Sequence, residues 1–136
     1  MDEALLDAFF TTDYLVCLGE VEWVSIRIEQ PLPEPLQQLV GQHAWGFITA
    51  WHPQAQMRAA ADNLAAQREL LAALQAWPGA VIRPAIGIGA SGWHEPSLFV
   101  IGPAPATLDA LTRHHRQAAY VHGAGSAPAR LRLLLA

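Results

Sequence analysis

The chain of 136 residues is 52% hydrophobic and 15% charged, with a formal net charge of −4, which predicts one folded domain with its own apolar core. All eight basic residues are arginine, which excludes a lysine Schiff base and a Walker-type lysine. Because these arginines are scattered along the chain, we expect no nucleic-acid partner.

The first part of the chain is predicted to contain a short helix and a strand hairpin. Residues 2–10 have an amphipathic pattern, and the apolar runs 14–18 and 22–29 are close enough to pair as two strands. The stretch 30–43 contains three prolines at every second position. It predicts a loop with one helical turn near its end.

A third strand is predicted over 44–51, AWGFITAW. Side chains alternate across a strand, so Thr49 would share a face with three aromatic rings, Trp45, Phe47 and Trp51. The end of this strand is unusual, because an imidazole and a proline, His52 and Pro53, follow Trp51. This segment is therefore a candidate for a functional turn.

The most regular predicted helix covers 57–77, where proline and glycine are absent and apolar residues recur at helical spacing. The dipeptide Pro78-Gly79 ends it. The remaining predicted elements are strands over 80–89, 95–102, 118–123 and 129–135 and a helix over 106–115.

This order of elements predicts a single α+β domain over 1–136. We expect a mixed, largely antiparallel sheet with the two main helices on one face. Pro84 interrupts the predicted strand 80–89 and is expected to place it at a sheet edge or at a bulge.

The candidate site consists of polar and aromatic side chains next to the apolar strands. Glu95 would be partly buried there, and a buried carboxylate needs hydrogen-bond partners. Aromatic rings at strand ends can line a pocket around such a group. The predicted ligand-binding residues are Thr49, Trp51, His52, Asn63, Trp93, Glu95, Ser97 and Gln117.

The six histidines do not form a metal-ligand pattern in the sequence. His114 and His115 are adjacent on a predicted helix and point about 100° apart, unlike the i, i+4 pairs that bind one ion. A site assembled from His52, His94, Glu95 and His122 is a minor alternative. We therefore predict no metal and no cofactor.

Four segments in a fixed order resemble the bacterial domain-of-unknown-function family 3293. They are FITAWHP (47–53), Asn63, WHEPSLFVIG (93–102) and RQAAYVHG (116–123). In that family a T-A-W-N-P stretch, a helical Asn, an E-x-S strand and a Gln-Ala pair recur in the same order. The resemblance spans about 44–123 and implies a small, soluble bacterial protein without an assigned activity.

The resemblance maps most of the candidate residues onto family positions. His52 is the departure, because the family commonly has Asn there, and this weakens any mechanism that requires His as a general base throughout the family. The positions that match the family pattern are Thr49, Trp51, Pro53, Asn63, Glu95, Ser97 and Gln117.

Three functions are compatible with the sequence. The first is a binding module, in which Glu95 supplies the charge for a small cationic or amide-bearing ligand. The second is a hydrolase or transferase with Glu95 as general acid or base, assisted by His52 or His94. The third is a structural protein without a ligand, which forms a homodimer through exposed apolar surface.

The expected location is the cytoplasm. The N-terminal sequence MDEALLDAFF is acidic and has no basic region or cleavage site of a secretion signal. No apolar run approaches the roughly 18 residues that a membrane helix needs. We therefore expect no membrane partner.

Overall fold

The computed structural model describes residues 2–134 of the chain. Its helices are α1 (Glu3–Thr11), α2 (Glu34–Val40), α3 (Ala60–Gln75) and α4 (Pro105–His114). Its strands are β1 (Asp13–Cys17), β2 (Trp23–Ile26), β3 (Ala44–Ile48), β4 (Val81–Ile88), β5 (His94–Ile101), β6 (Ala119–Ala124) and β7 (Arg130–Leu133). The predicted last strand reached 135, which lies outside the described residues. None of the helices within 2–134 has the length and apolar character needed to cross a bilayer.

All seven strands form one sheet in the order β2-β1-β4-β5-β3-β6-β7. Every neighbouring pair among the described strands is antiparallel. The predicted hairpin is present, with Tyr14 opposite Ile26. The α+β prediction is confirmed, and the sheet is antiparallel throughout rather than mixed.

Each face of the sheet packs against its own apolar cluster, so the central strands β3 and β5 are buried from both sides over most of their length. The first face carries α2 and Phe9 of α1, and its buried residues include Val16, Leu36, Val40, Trp45, Phe47 and Phe99. The second face carries α3 and α4, and its buried residues include Ile48, Leu70, Leu74, Leu98, Val100 and Leu108. The two main helices therefore cover one face, as predicted.

The structure corrects two sequence predictions about strands. β3 ends at Ile48 rather than at 51, because the hydroxyl of Thr49 binds the backbone and the following Pro53 has no N–H for a ladder. The strand with Pro84 is β4, which lies between β1 and β5 rather than at the edge. β1 pairs only with residues 85–88, so Pro84 has a strand neighbour on one side alone.

Gly46 in β3 allows α4 to approach the sheet closely. A Cβ atom at Gly46 would lie 2.5 Å from Cδ1 of Leu108, a side chain that is 1% exposed. Overpacking of this kind typically destabilises a core, so Gly46→Ala is expected to lower the free energy of unfolding by about 1 to 2 kcal/mol in urea denaturation. Gly19→Ala is the matched control, because its methyl group would meet nothing within 4 Å. An equal loss in both variants would contradict this explanation.

Candidate functional site

The turn that follows β3 is fixed by side chains that bind its backbone. The Thr49 hydroxyl donates to the carbonyl oxygen of Pro96 at 2.8 Å and accepts from the N–H of Trp51 at 3.0 Å. The side-chain nitrogen of Gln117, which follows α4, donates to the carbonyl oxygen of Trp51 at 2.9 Å. Thr49 and Gln117 therefore hold the backbone of Trp51 from both sides, which joins β3, β5 and the end of α4.

Asn63 on α3 holds the next residue of the same turn and is fully buried. Its side-chain oxygen accepts from the N–H of His52 at 3.0 Å and from Nε of Arg58 at 2.9 Å. Its nitrogen donates to the Arg58 carbonyl oxygen at 3.1 Å and lies 3.2 Å from Nδ1 of His52. The side-chain oxygen and nitrogen of Asn63 thus form their hydrogen bonds with other residues of the protein, which is a structural role.

His52 has the backbone conformation of a left-handed helix, with a φ of 46°. Few non-glycine residues adopt this region, and Asn and His are enriched among those that do. Its ring packs against two tryptophans, with centroid distances of 5.5 Å to Trp51 and 4.9 Å to Trp93. Burial lowers the pKa of His52, and the nearby Arg58 and His94 lower it further.

Two residues missed by sequence reasoning complete this turn. The N–H of Ala50 donates to Oε1 of Gln67 at 2.8 Å, and Nη2 of Arg58 donates to the Ala50 carbonyl oxygen at 2.9 Å. Gln67 follows Asn63 by four residues on α3, and the i, i+4 spacing that places both on one helix face was a usable signal. Arg58 precedes the helix and carries no comparable signal.

A cavity of about 350 Å³, which we call the Glu95 cavity, lies between α1 and the first face of the sheet. Aromatic rings supply much of its wall, including Phe9, Tyr14 and Phe47. The five candidate residues that line it are Thr49, Trp93, Glu95, Ser97 and Gln117.

The sheet register leaves space for this cavity beside Glu95. Gly87 of β4 lies opposite both Tyr14 of β1 and Glu95 of β5. Residues opposite each other in an antiparallel sheet project to the same face, and Gly87 has no side chain to fill the space between the ring and the carboxyl group. The Tyr14 hydroxyl is turned to α1, where it donates to the carbonyl oxygen of Phe9 at 2.6 Å.

Glu95 is the charged group of this cavity, and its environment is apolar. Burial raises the pKa of Glu95 to about 7, while the nearby Trp93 side chain opposes the shift. Burial also raises the pKa of Tyr14, and the Glu95 charge contributes to that shift. The ion pairs within residues 2–134 do not include Glu95. The Ser97 hydroxyl donates to the backbone carbonyl of Glu95 at 2.9 Å.

A second cavity of about 450 Å³, which we call the His52 cavity, holds the other candidates. Arg58 and His94 line it as well, and Glu95 does not. Trp93 lines both cavities, so the two are neighbours. The candidates in the His52 cavity are Trp51, His52, Asn63 and Trp93. The structure thus divides the predicted set between two cavities.

The comparisons with known proteins identify the family. The family model of DUF3293, described as a protein of unknown function, matches residues 48–120, which is more than half of the chain. The chain therefore belongs to the DUF3293 family, and the resemblance seen in the sequence is confirmed. All eight candidate residues lie inside the matched region. No curated protein and no solved structure matches the chain.

Proposed function

We propose that the protein binds a small organic cation in the Glu95 cavity, with the ionised Glu95 carboxylate as its counter-ion. One observation carries this proposal: the cavity has an acidic group in a mostly aromatic and aliphatic wall, and none of its described lining residues is basic. A buried charge without a partner is unfavourable, and a bound cation would supply the missing charge.

The uncharged walls of the cavity favour the same class of ligand. Aromatic faces attract cations, and Tyr14, Phe47 and Trp93 line the space around Glu95. Gln117 uses its side-chain nitrogen to hold Trp51, which leaves its side-chain oxygen as an acceptor. Acceptors on Glu95 and Gln117 suit an ammonium group or an amide that donates hydrogen bonds.

The hydrolase or transferase alternative has less support from the geometry. His52 and His94 line the other cavity, and the hydrogen bonds of each within residues 2–134 go to partners other than Glu95. A general acid or base pair needs its two groups within hydrogen-bond reach or joined by one water. Binding is therefore favoured over catalysis.

A cytoplasmic location, a bacterial source and a homodimer stay proposals that rest on composition and on the family resemblance. For the homodimer, exposed apolar residues at the start of the edge strand β2 offer a surface: Trp23 is its first residue, and Val21 precedes it. Sedimentation at several protein concentrations tests it. A constant monomer mass would contradict the dimer without affecting the Glu95 cavity.

Three probes of similar shape test the binding proposal: 2-phenylethylammonium, 3-phenylpropanamide and 3-phenylpropanoate. In calorimetric titrations at pH 8 we expect the cation to bind best, the amide more weakly and the anion undetectably. Glu95→Gln should weaken the cation about 10- to 100-fold, because a hydrogen bond to a charged group is lost. Cation affinity in the wild type should rise from pH 6 to pH 8, because Glu95 ionises with a pKa of about 7.

The matched control is Glu20→Gln, which changes an exposed carboxyl group in the β1–β2 turn. It should leave the affinity for the cation unchanged. Equal binding of all three probes, or a cation affinity that survives Glu95→Gln, would overturn the proposal.

A further inference from the structure

Three side chains that can bind metal ions meet at the junction of α3 and α4, and none of the three residues lines either cavity. Glu69 lies on α3, His114 ends α4 and His115 follows it. Their ligand atoms all lie within 4.8 Å of one another. Oε1 of Glu69 and Nε2 of His114 are 2.8 Å apart.

This convergence was not visible in the sequence. Adjacent helical residues point about 100° apart. The imidazole rings of His114 and His115 nevertheless lie edge to face, with their centroids 5.0 Å apart. Glu69 is distant in sequence and comes from the neighbouring helix. Two adjacent helical histidines are a poor ligand pair by themselves, but Glu69 adds a third ligand from the neighbouring helix.

We propose that Glu69, His114 and His115 bind a divalent transition metal ion such as Zn²⁺. Two imidazoles and one carboxylate are a donor set that Zn²⁺ accepts, whereas Ca²⁺ and Mg²⁺ prefer oxygen donors throughout. Zinc bonds of about 2.0 to 2.2 Å place tetrahedral donors about 3.4 Å apart, inside the range of separations seen here. Water would complete the coordination.

One of the three residues is buried and the other two are exposed, which suits a site whose side chains adjust when an ion binds. His115 is 9% exposed and is held by its surroundings. The side chains of His114 and Glu69 are 66% and 63% exposed, so they are able to adjust by the small distance that coordination requires. Arg58 is close enough to His115 to repel a cation, and we therefore expect micromolar rather than nanomolar affinity.

Calorimetric titration of Zn²⁺ into metal-free protein without a polyhistidine tag tests this site. We expect one Zn²⁺ per chain and a rise in Tm of about 5 °C at saturating Zn²⁺. Co²⁺ should give the visible absorption of a tetrahedral complex, and Mg²⁺ should not compete. Each of His114→Ala and Glu69→Gln, both at exposed positions, should weaken Zn²⁺ binding more than about tenfold.

His43→Ala is the matched control, because it removes an exposed histidine outside the cluster. It should bind Zn²⁺ as the wild type does. Absence of stoichiometric binding, or an equal loss in His43→Ala and His114→Ala, would overturn the proposal. Neither result bears on the Glu95 cavity, whose test uses organic probes and a different variant.

Discussion

Glu95→Gln is expected to stabilise the protein at pH 8, although it removes the group that would bind the cation. Burial raises the pKa of Glu95 from 4.5 to about 7, so the folded chain holds a proton between these values that the unfolded chain has lost. The stability that comes from this proton is complete below pH 4.5 and is lost as the pH rises to 7. A shift of this size corresponds to roughly 3 kcal/mol.

Urea denaturation of the wild type and Glu95→Gln at pH 4.5, 6 and 8 measures this effect. The variant has no proton to lose at this position, so the difference in unfolding free energy between the two proteins should be small at pH 4.5 and should grow to on the order of 3 kcal/mol at pH 8. Glu20→Gln should show a difference that does not change with pH. A Glu95→Gln protein that is less stable than the wild type at pH 8 would mean that the carboxylate supports the fold.

The sign of the difference in unfolding free energy between the wild type and Glu95→Gln distinguishes a structural role of Glu95 from a role in ligand binding. A structural carboxylate gains stability from its partners, and its removal destabilises the protein. A carboxylate kept for binding lowers stability until the ligand arrives, which is common at functional sites. The raised pKa of Glu95 favours the second role, as does the fact that none of the described residues lining its cavity is basic.

The local elements were predictable because their signals are local. α3 follows from a long run without proline or glycine, and the β1–β2 hairpin from two neighbouring apolar runs. The strand order was not predictable in the same way. β1 pairs with β4, and β3 with both β5 and β6, and these partners are chosen by long-range contacts that no short window of sequence records.

The composition of the candidate site also depends on long-range strand pairing. Tyr14 and Gly87 reach Glu95 only through the register of three strands, so neither was identified from the sequence. The structure divides the candidate residues between two cavities, and Trp93 lines both of them. The sequence shows which kinds of side chain lie near a strand end. It does not show which of the two cavities each side chain lines.

The turn at His52 explains part of the family pattern in physical terms. The backbone at His52 is left-handed, a conformation that His adopts more readily than most residues, as does Asn, the residue expected there from the family resemblance. Thr49, Asn63 and Gln117 bind the backbone of the same turn. These three positions therefore have a structural reason for their residue types, whereas the charge of Glu95 has no ion-pair partner among residues 2–134.

Asn63→Ala is expected to lower the free energy of unfolding by about 3 kcal/mol, because the side chain is fully buried and its bonds have no substitute. Its removal leaves the N–H of His52 and the carbonyl oxygen of Arg58 without their partner, and each unsatisfied buried group typically costs about 1 to 3 kcal/mol. Urea denaturation measures the loss, with Arg68→Ala on an exposed position of α3 as a near-neutral control. Asn63→Asp keeps the two acceptor contacts and should be intermediate. If Asn63→Ala were as mild as Arg68→Ala, the turn would be held by other contacts.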